Sequence, residues 1–182
     1  QNYGQFGEGS TPLFHILNAY LNPFSSNQII FQGSIAFISL LNVLFFSQIL
    51  KEKFRLNGLD AVTYSSIFLI LPFFRSSAFW GLAENLGWLF LILAIKYYKK
   101  IEYNKKNSAL TIFLVCFFSS FALYTRPYLI FFPIFFIIYL MFYKRTEILK
   151  YASLFYLILA LPGFYLIFLW GGIFKLGGVD PS

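Results

Sequence analysis

Charge is what this sequence has least of. Asp, Glu, Lys and Arg make up 12% of its 182 residues, against about 25% in an average soluble domain. A surface facing only water needs more. Cysteine is nearly absent too: Cys116 stands alone in an apolar run, which excludes an internal disulfide and any Cys/His metal spacing. His15 is the single histidine and Met141 the single methionine. The chain has no initiator Met and no visible signal peptide. It opens on polar Gln1–Ser10 and stops in polar Gly177–Ser182, so the expectation is an internal piece of a longer membrane protein. No basic stripe interleaved with exposed aromatics runs through a soluble segment. The net charge of +7 therefore does not point to nucleic acid. No internal repeat stands out, which weighs against a transporter built on inverted repeats.

What is present is apolar. Hydrophobic residues make up 59% of the chain, in long Phe/Ile/Leu runs. Short basic clusters break these runs at nearly regular intervals. Lys51, Lys53 and Arg55 form one cluster. Lys96, Lys99, Lys100, Lys105 and Lys106 form the next, and Lys144, Arg145 and Lys150 the third. Only Arg75, Arg126 and Lys175 lie elsewhere. Basic clusters on alternate connections are the positive-inside pattern, and they assign each loop to a side.

The expected fold is all-α: a single transmembrane domain over 1–182, a polytopic helical bundle of six spans plus an outer interfacial amphipathic helix. Residues 1–26 form an outer loop and the surface helix, 27–170 the spans, and 171–182 an outer loop. Thr11-Pro12 reads as an N-cap and first helical residue. Leu13, Phe14, Ile16, Leu17, Tyr20 and Leu21 then share one helical face, with His15, Asn18 and Asn22 opposite. Asn22-Pro23 ends this helix, too short for the roughly 20 residues a span requires. The spans are predicted at about 27–50, 59–74, 80–98, 108–124, 127–143 and 151–170. The turns 75–79 and 125–126 fall on the outer side with the two ends of the chain.

Once sides are assigned, the odd polar residues collect outside. Glu84 lies one turn into the third span, where a carboxylate is costly to insert. Arg75 ends the preceding span. The plain reading is an Arg75–Glu84 pair closing a helical hairpin; the functional one is a polar cavity opening outward. Arg126 sits in Tyr124-Thr125-Arg126-Pro127-Tyr128. It either snorkels to lipid phosphate or holds a phosphate on a lipid substrate, for which its planar fork is suited. His15 reads first as a headgroup-facing histidine. Glu8, just before it, qualifies as a general acid or base by residue type. Trp80, Trp88 and Trp170 fit an interfacial belt.

These segments carry a resemblance. Thr11-Pro12-Leu13-Phe14-His15 resembles the first-loop element of polyprenyl-phosphate-sugar-dependent glycosyltransferases of the GT-C type. In those enzymes an acidic outer loop precedes a Pro-Leu-aromatic helix lying on the membrane. Arg75-Ser-Ser-Ala-Phe-Trp-Gly-Leu-Ala-Glu84-Asn-Leu-Gly87 looks like the short hairpin between paired spans of that superfamily. Tyr124-Thr-Arg126-Pro-Tyr-Leu-Ile-Phe-Phe-Pro133 looks like its later Arg-aromatic turn. Trp170-Gly-Gly-Ile-Phe-Lys-Leu-Gly-Gly178 is faintly similar to a Gly-Gly segment of alpha-1,2-glucosyltransferases acting on lipid-linked oligosaccharide.

The resemblance implies an integral membrane enzyme moving a sugar from a polyprenyl-phosphate donor to a glycan or lipid acceptor at the outer or lumenal face. An outer-loop carboxylate would activate the acceptor hydroxyl. The family's main acid is expected upstream of Gln1, which leaves Glu8 as a second acid of that loop. Arg126, with Arg75, Glu84 and His15, would bind substrate, and grooves between spans would take the prenyl tail. No metal and no cofactor are expected; the partners are the lipid-linked sugar, its acceptor and membrane lipids. The alternatives are a lipid or polysaccharide transporter, which would also place Glu84 and the arginines in a polar cavity, and a non-catalytic membrane scaffold.

Overall fold

The computed structural model describes residues 12–23, 27–80, 83–103 and 108–169. Among them every regular element is a helix, so the all-α class holds. The elements are α1 (Pro12–Tyr20), α2 (Gln28–Phe54), α3 (Gly58–Ser65), α4 (Ile67–Ile70), α5 (Pro72–Trp80), α6 (Glu84–Tyr103), α7 (Ala109–Thr125), α8 (Phe131–Phe142) and α9 (Thr146–Leu169). A 3-10 turn, Pro127–Ile130, leads into α8.

Local chemistry sets the boundaries. The Asn27 side chain accepts from the backbone N–H groups of Ile29 and Ile30 and starts α2. Arg55, in the left-handed region at φ 53°, ends it, with Lys51 and Lys53 in the last turn where the helix dipole favours cations. Asn57 caps α3 by accepting from Asp60 N at 2.7 Å and donating back to the Asp60 carboxylate at 2.8 Å. Ser108 caps α7 by accepting from Leu110 N.

The predicted second span is not one helix. It breaks at Ser66 and at Leu71, and it continues as α5 through the expected turn at 75–79. Pro72 explains the second break: its ring drives Leu71 out of the helical region, to φ −61° and ψ 124°. At the first, the Ser66 hydroxyl donates back to the Val62 carbonyl, a local bond that bends helices. Arg75 therefore sits inside a helix rather than at a turn.

Among the described residues, two helices are long and apolar enough to cross a membrane. Their apolar segments run over Ile29–Phe54, with mean hydropathy 2.1, and Thr146–Tyr165, with mean hydropathy 1.5. Only 22% and 6% of these windows are buried. They do not behave as the core helices of a water-soluble fold. Leu154, Leu157, Ile158 and Leu161 of α9 point outward, as do Phe37, Leu40 and Leu44 of α2. The helices α7 and α8 are apolar but shorter, and α6 carries Lys96, Lys99 and Lys100 before it ends.

The most extensive packing is α6 against α7. The main core gathers Leu91, Ile101, Val115, Leu129, Phe136 and Ala152 from α6 to α9. A smaller core joins Phe14 of α1 to Ile35 of α2 and to Ala83. Pairings give the helix directions. Asn42 meets Asn85 and Gln48 meets Lys96, so α2 and α6 run the same way. Ser119 meets Tyr156 and Tyr124 meets Leu159, so α7 and α9 also run together. Glu84 meets Arg126, so α6 and α7 are antiparallel. The starts of α2 and α6 thus share one end of the bundle with the end of α7. The basic clusters that are described share the other.

Helix α9 has an inserted side chain. Its Gly163 N–H would ordinarily donate to the Leu159 carbonyl. Here it donates to the Tyr124 hydroxyl at 3.1 Å, and that hydroxyl donates to Leu159 O at 2.5 Å, so the tyrosine bridges the two groups. Pro162 already lacks the neighbouring N–H. A Cβ at residue 163 would lie 2.9 Å from the Tyr124 ring and hydroxyl, so only glycine admits the tyrosine.

Candidate functional site

The end of the bundle away from the lysines carries a charged pair. Glu84 opens α6 and Arg126 caps the end of α7, and their side chains form an ion pair through Oε1 and Nη2. The pair is mostly enclosed, with side-chain exposures of 12% for Glu84 and 15% for Arg126. The helices favour this arrangement. A carboxylate in the first turn of α6 and a guanidinium at the end of α7 each meet the dipole end of opposite sign. Gly87 permits the approach: a Cβ there would sit 3.1 Å from Leu129 Cδ1 and 3.6 Å from Arg126 Cγ. Pro127 fixes the backbone that carries Arg126.

Three further groups complete the surroundings. Ser77 of α5 donates its hydroxyl to Glu84 Oε2 at 3.3 Å. Tyr128 lies beside Glu84, Arg126 and Trp88. The Nε of Arg126 is buried and has no hydrogen-bond partner. The ion pair holds the guanidinium in a fixed orientation with 15% of the side chain still exposed, and the buried Nε–H is closed to an outside acceptor.

Behind the pair lies a neutral polar network. The Asn42 amide of α2 donates to the Asn85 carbonyl at 2.8 Å. The Asn85 amide donates to the Ser39 hydroxyl at 2.6 Å and to the Phe74 carbonyl at 3.3 Å. Asn42 and Asn85 are fully buried, and both side-chain carbonyls lack a partner. This network ties α2, α5 and α6 together directly behind Glu84.

Of the residues expected to bind substrate, Glu84 and Arg126 come together. Arg75 does not join them. It is exposed, no ion pair links it to Glu84, and its place opposite that carboxylate is taken by Arg126. Arg75 and Ser77 are two positions apart on α5, so they project about 200° apart around the helix. Ser77 faces the pair; Arg75 faces a groove against α2. His15 belongs to α1, whose Phe14 packs near the start of α6, but the His15 side chain lies outside the described residues, as does Glu8. Among the described residues no group of His, Cys, Asp and Glu could hold a metal. Sequence reasoning missed Ser77, Asn42 and Asn85. The signal available was an amide inside an apolar run, since such groups bridge helices in lipid.

The chain matches no known protein family, curated protein or solved structure.

Proposed function

We propose that the chain is part of an integral membrane glycosyltransferase, moving a sugar from a polyprenyl-phosphate donor to a glycan or lipid acceptor on the extracytoplasmic face. It crosses the bilayer six times: by α2, by the broken α3–α5 segment, by α6, by α7, by the 3-10 turn with α8, and by α9. The outward-facing apolar surfaces of α2 and α9 support the membrane setting. The broken segment fits it as well, because irregular backbone at membrane depth is tolerated where protein covers it.

One observation carries the functional reading: an enclosed but still partly exposed Glu84–Arg126 pair at the end opposite the lysine clusters. In this reading Glu84 holds Arg126 in place, and Arg126 directs its remaining N–H groups at the donor phosphate. That contact offsets negative charge as the sugar leaves. The acceptor hydroxyl is activated by an outer-loop carboxylate, with Glu8 a second acid of that loop. The grooves between helices take the prenyl chain.

The test is sugar transfer from a polyprenyl-phosphate donor by the full protein at matched expression. Arg126→Lys and Arg126→Ala should each lower turnover by about tenfold or more, because lysine keeps the charge and loses the fork. Near-normal turnover in both removes the phosphate role. The membrane setting has its own test. Cysteines placed at positions 5 and 104 in a Cys116→Ala background should react with an impermeant reagent from opposite sides.

A lipid transporter is the second reading, favoured by the discontinuous α3–α4–α5 segment, since transporter sites are commonly built from broken helices. Lipid movement without sugar transfer in proteoliposomes would select it.

A further inference from the structure

Arg75, left out of the charged pair, borders a groove of about 470 Å³ between α2 and α4–α5. Gly33, Ala36 and Leu40 line it from α2, spaced so that they share one helical face; Phe68 and Phe74 form its other wall. From Gly33 to Leu40 the groove follows α2 for ~10 Å. Gly33 and Ala36 make the hollow: a Cβ at residue 33 would meet nothing within 4 Å. The lining is apolar except for Arg75 and Ser39. The Ser39 hydroxyl is already engaged, accepting from Asn85 and donating to the Ile35 carbonyl. Arg75 makes no ion pair among the described residues.

We infer that this groove binds one chain of an anionic glycerophospholipid, with the lipid phosphate on the Arg75 guanidinium. Charge complementarity selects the head, since an unpaired guanidinium at the edge of an apolar slot matches a phosphodiester by two parallel hydrogen bonds. The slot selects the tail. It offers nothing to a peptide backbone, whose N–H and C=O groups would go unsatisfied there. Free phosphate would gain a single cation and none of the apolar contact. The site is distinct from the Glu84–Arg126 pair because Arg75 and Ser77 leave α5 on different faces. The inference rests on the membrane setting proposed above and not on sugar transfer.

The test is lipid retention by the purified protein in detergent, read by native mass spectrometry with phosphatidylglycerol or phosphatidylcholine of equal chain length. Wild type should retain phosphatidylglycerol over phosphatidylcholine. Arg75→Gln should lower phosphatidylglycerol retention by about tenfold, to the level of phosphatidylcholine, through loss of one charge-assisted contact. Gly33→Leu should lower retention of both lipids by filling the slot. Its side chain enters open space and raises helix propensity, so the fold is kept. Unchanged phosphatidylglycerol retention in both variants overturns the inference. So does its displacement by inorganic phosphate, or by an equimolar polyprenyl phosphate. A protein that stays soluble without detergent overturns the membrane setting instead, so the two failures are distinguishable.

Discussion

The two ends of the bundle handle charge in opposite ways. At the lysine end, cations are numerous and, the buried Lys99 apart, lie at or near the surface. Lys150 pairs with Glu147 three residues earlier, and both side chains are more than two-thirds exposed. Lys96 reaches the Gln48 amide oxygen at 2.6 Å and stands 5.2 Å from the centre of the Phe45 ring. Arg145 donates to the Ile101 carbonyl at 3.1 Å, closing the end of α6. At the other end two charges stand nearly alone, enclosed, and joined across two helices. Abundant exposed charge sets orientation and solubility and contributes little per residue. Enclosed charge is scarce because each group must be matched, and each match then decides how helices meet.

The largest test of that contrast is to break the enclosed pair. Arg126→Ala leaves the Glu84 carboxylate enclosed beside Ser77 and should cost ~3–5 kcal/mol of stability, read by thermal unfolding in detergent. Removing both charges together should cost less than the sum of the single changes, as expected for partners in contact. Exchanging them, Glu84→Arg with Arg126→Glu, keeps the pair but sets each charge against its helix dipole. The exchanged protein should stay below wild type by ~1 kcal/mol. Full recovery would mean that the dipoles contribute nothing here.

A second test concerns the inserted tyrosine, which also stands near the Arg126 end. Gly163→Ala puts a methyl 2.9 Å from the Tyr124 ring and hydroxyl. The tyrosine must leave the α9 ladder or α9 must shift, at a cost of ~1–3 kcal/mol. Tyr124→Phe should be milder, because Gly163 N–H still has the Leu159 carbonyl as its ordinary helical partner. Gly163→Ala should lose most of its effect in a Tyr124→Phe background. An undiminished effect there would mean that the tyrosine is not what glycine accommodates.

The neutral network gives a third. Asn42→Leu removes the amide's bond to the Asn85 main-chain carbonyl, which keeps its place in the α6 ladder, so only the net value of that one bond, ~0.5–1.5 kcal/mol, should be lost. A neutral result would mean that the unpartnered Asn42 side-chain carbonyl had already cancelled the gain from the bond.

These elements differ in how far the sequence announced them. Helix α7 was legible almost to the residue, because Ser108 caps it and Arg126-Pro127 stops it. The expected range 108–124 became 109–125. The broken α3–α5 segment was not, although Pro72 was in view. An apolar run of the right length outweighed the local rule that the residue before proline leaves the helix. Glu84 and Arg126 were legible one at a time, as charges that apolar surroundings make conspicuous. Their pairing was not. Arg75 is the nearer partner along the chain, and choosing between the two arginines requires knowing which face of α5 turns inward. Asn42, Asn85 and Ser77 were hidden for a related reason: a small polar side chain shows its value only when a second helix meets it.

The smallest expected effect lies at the lysine end, and it sharpens the contrast most cheaply. Lys150→Ala removes an ion pair of 3.0 Å, well within contact distance. Yet water already solvates both partners, and holding two long side chains in one geometry costs entropy. The change in stability should stay below ~0.5 kcal/mol and shrink further with added salt. Glu147 also keeps its place in the first turn of α9, where the dipole favours it without the lysine. A loss comparable to that of Arg126→Ala would mean that the two ends do not differ in kind. The enclosure of the Glu84–Arg126 pair would then no longer mark it as the site.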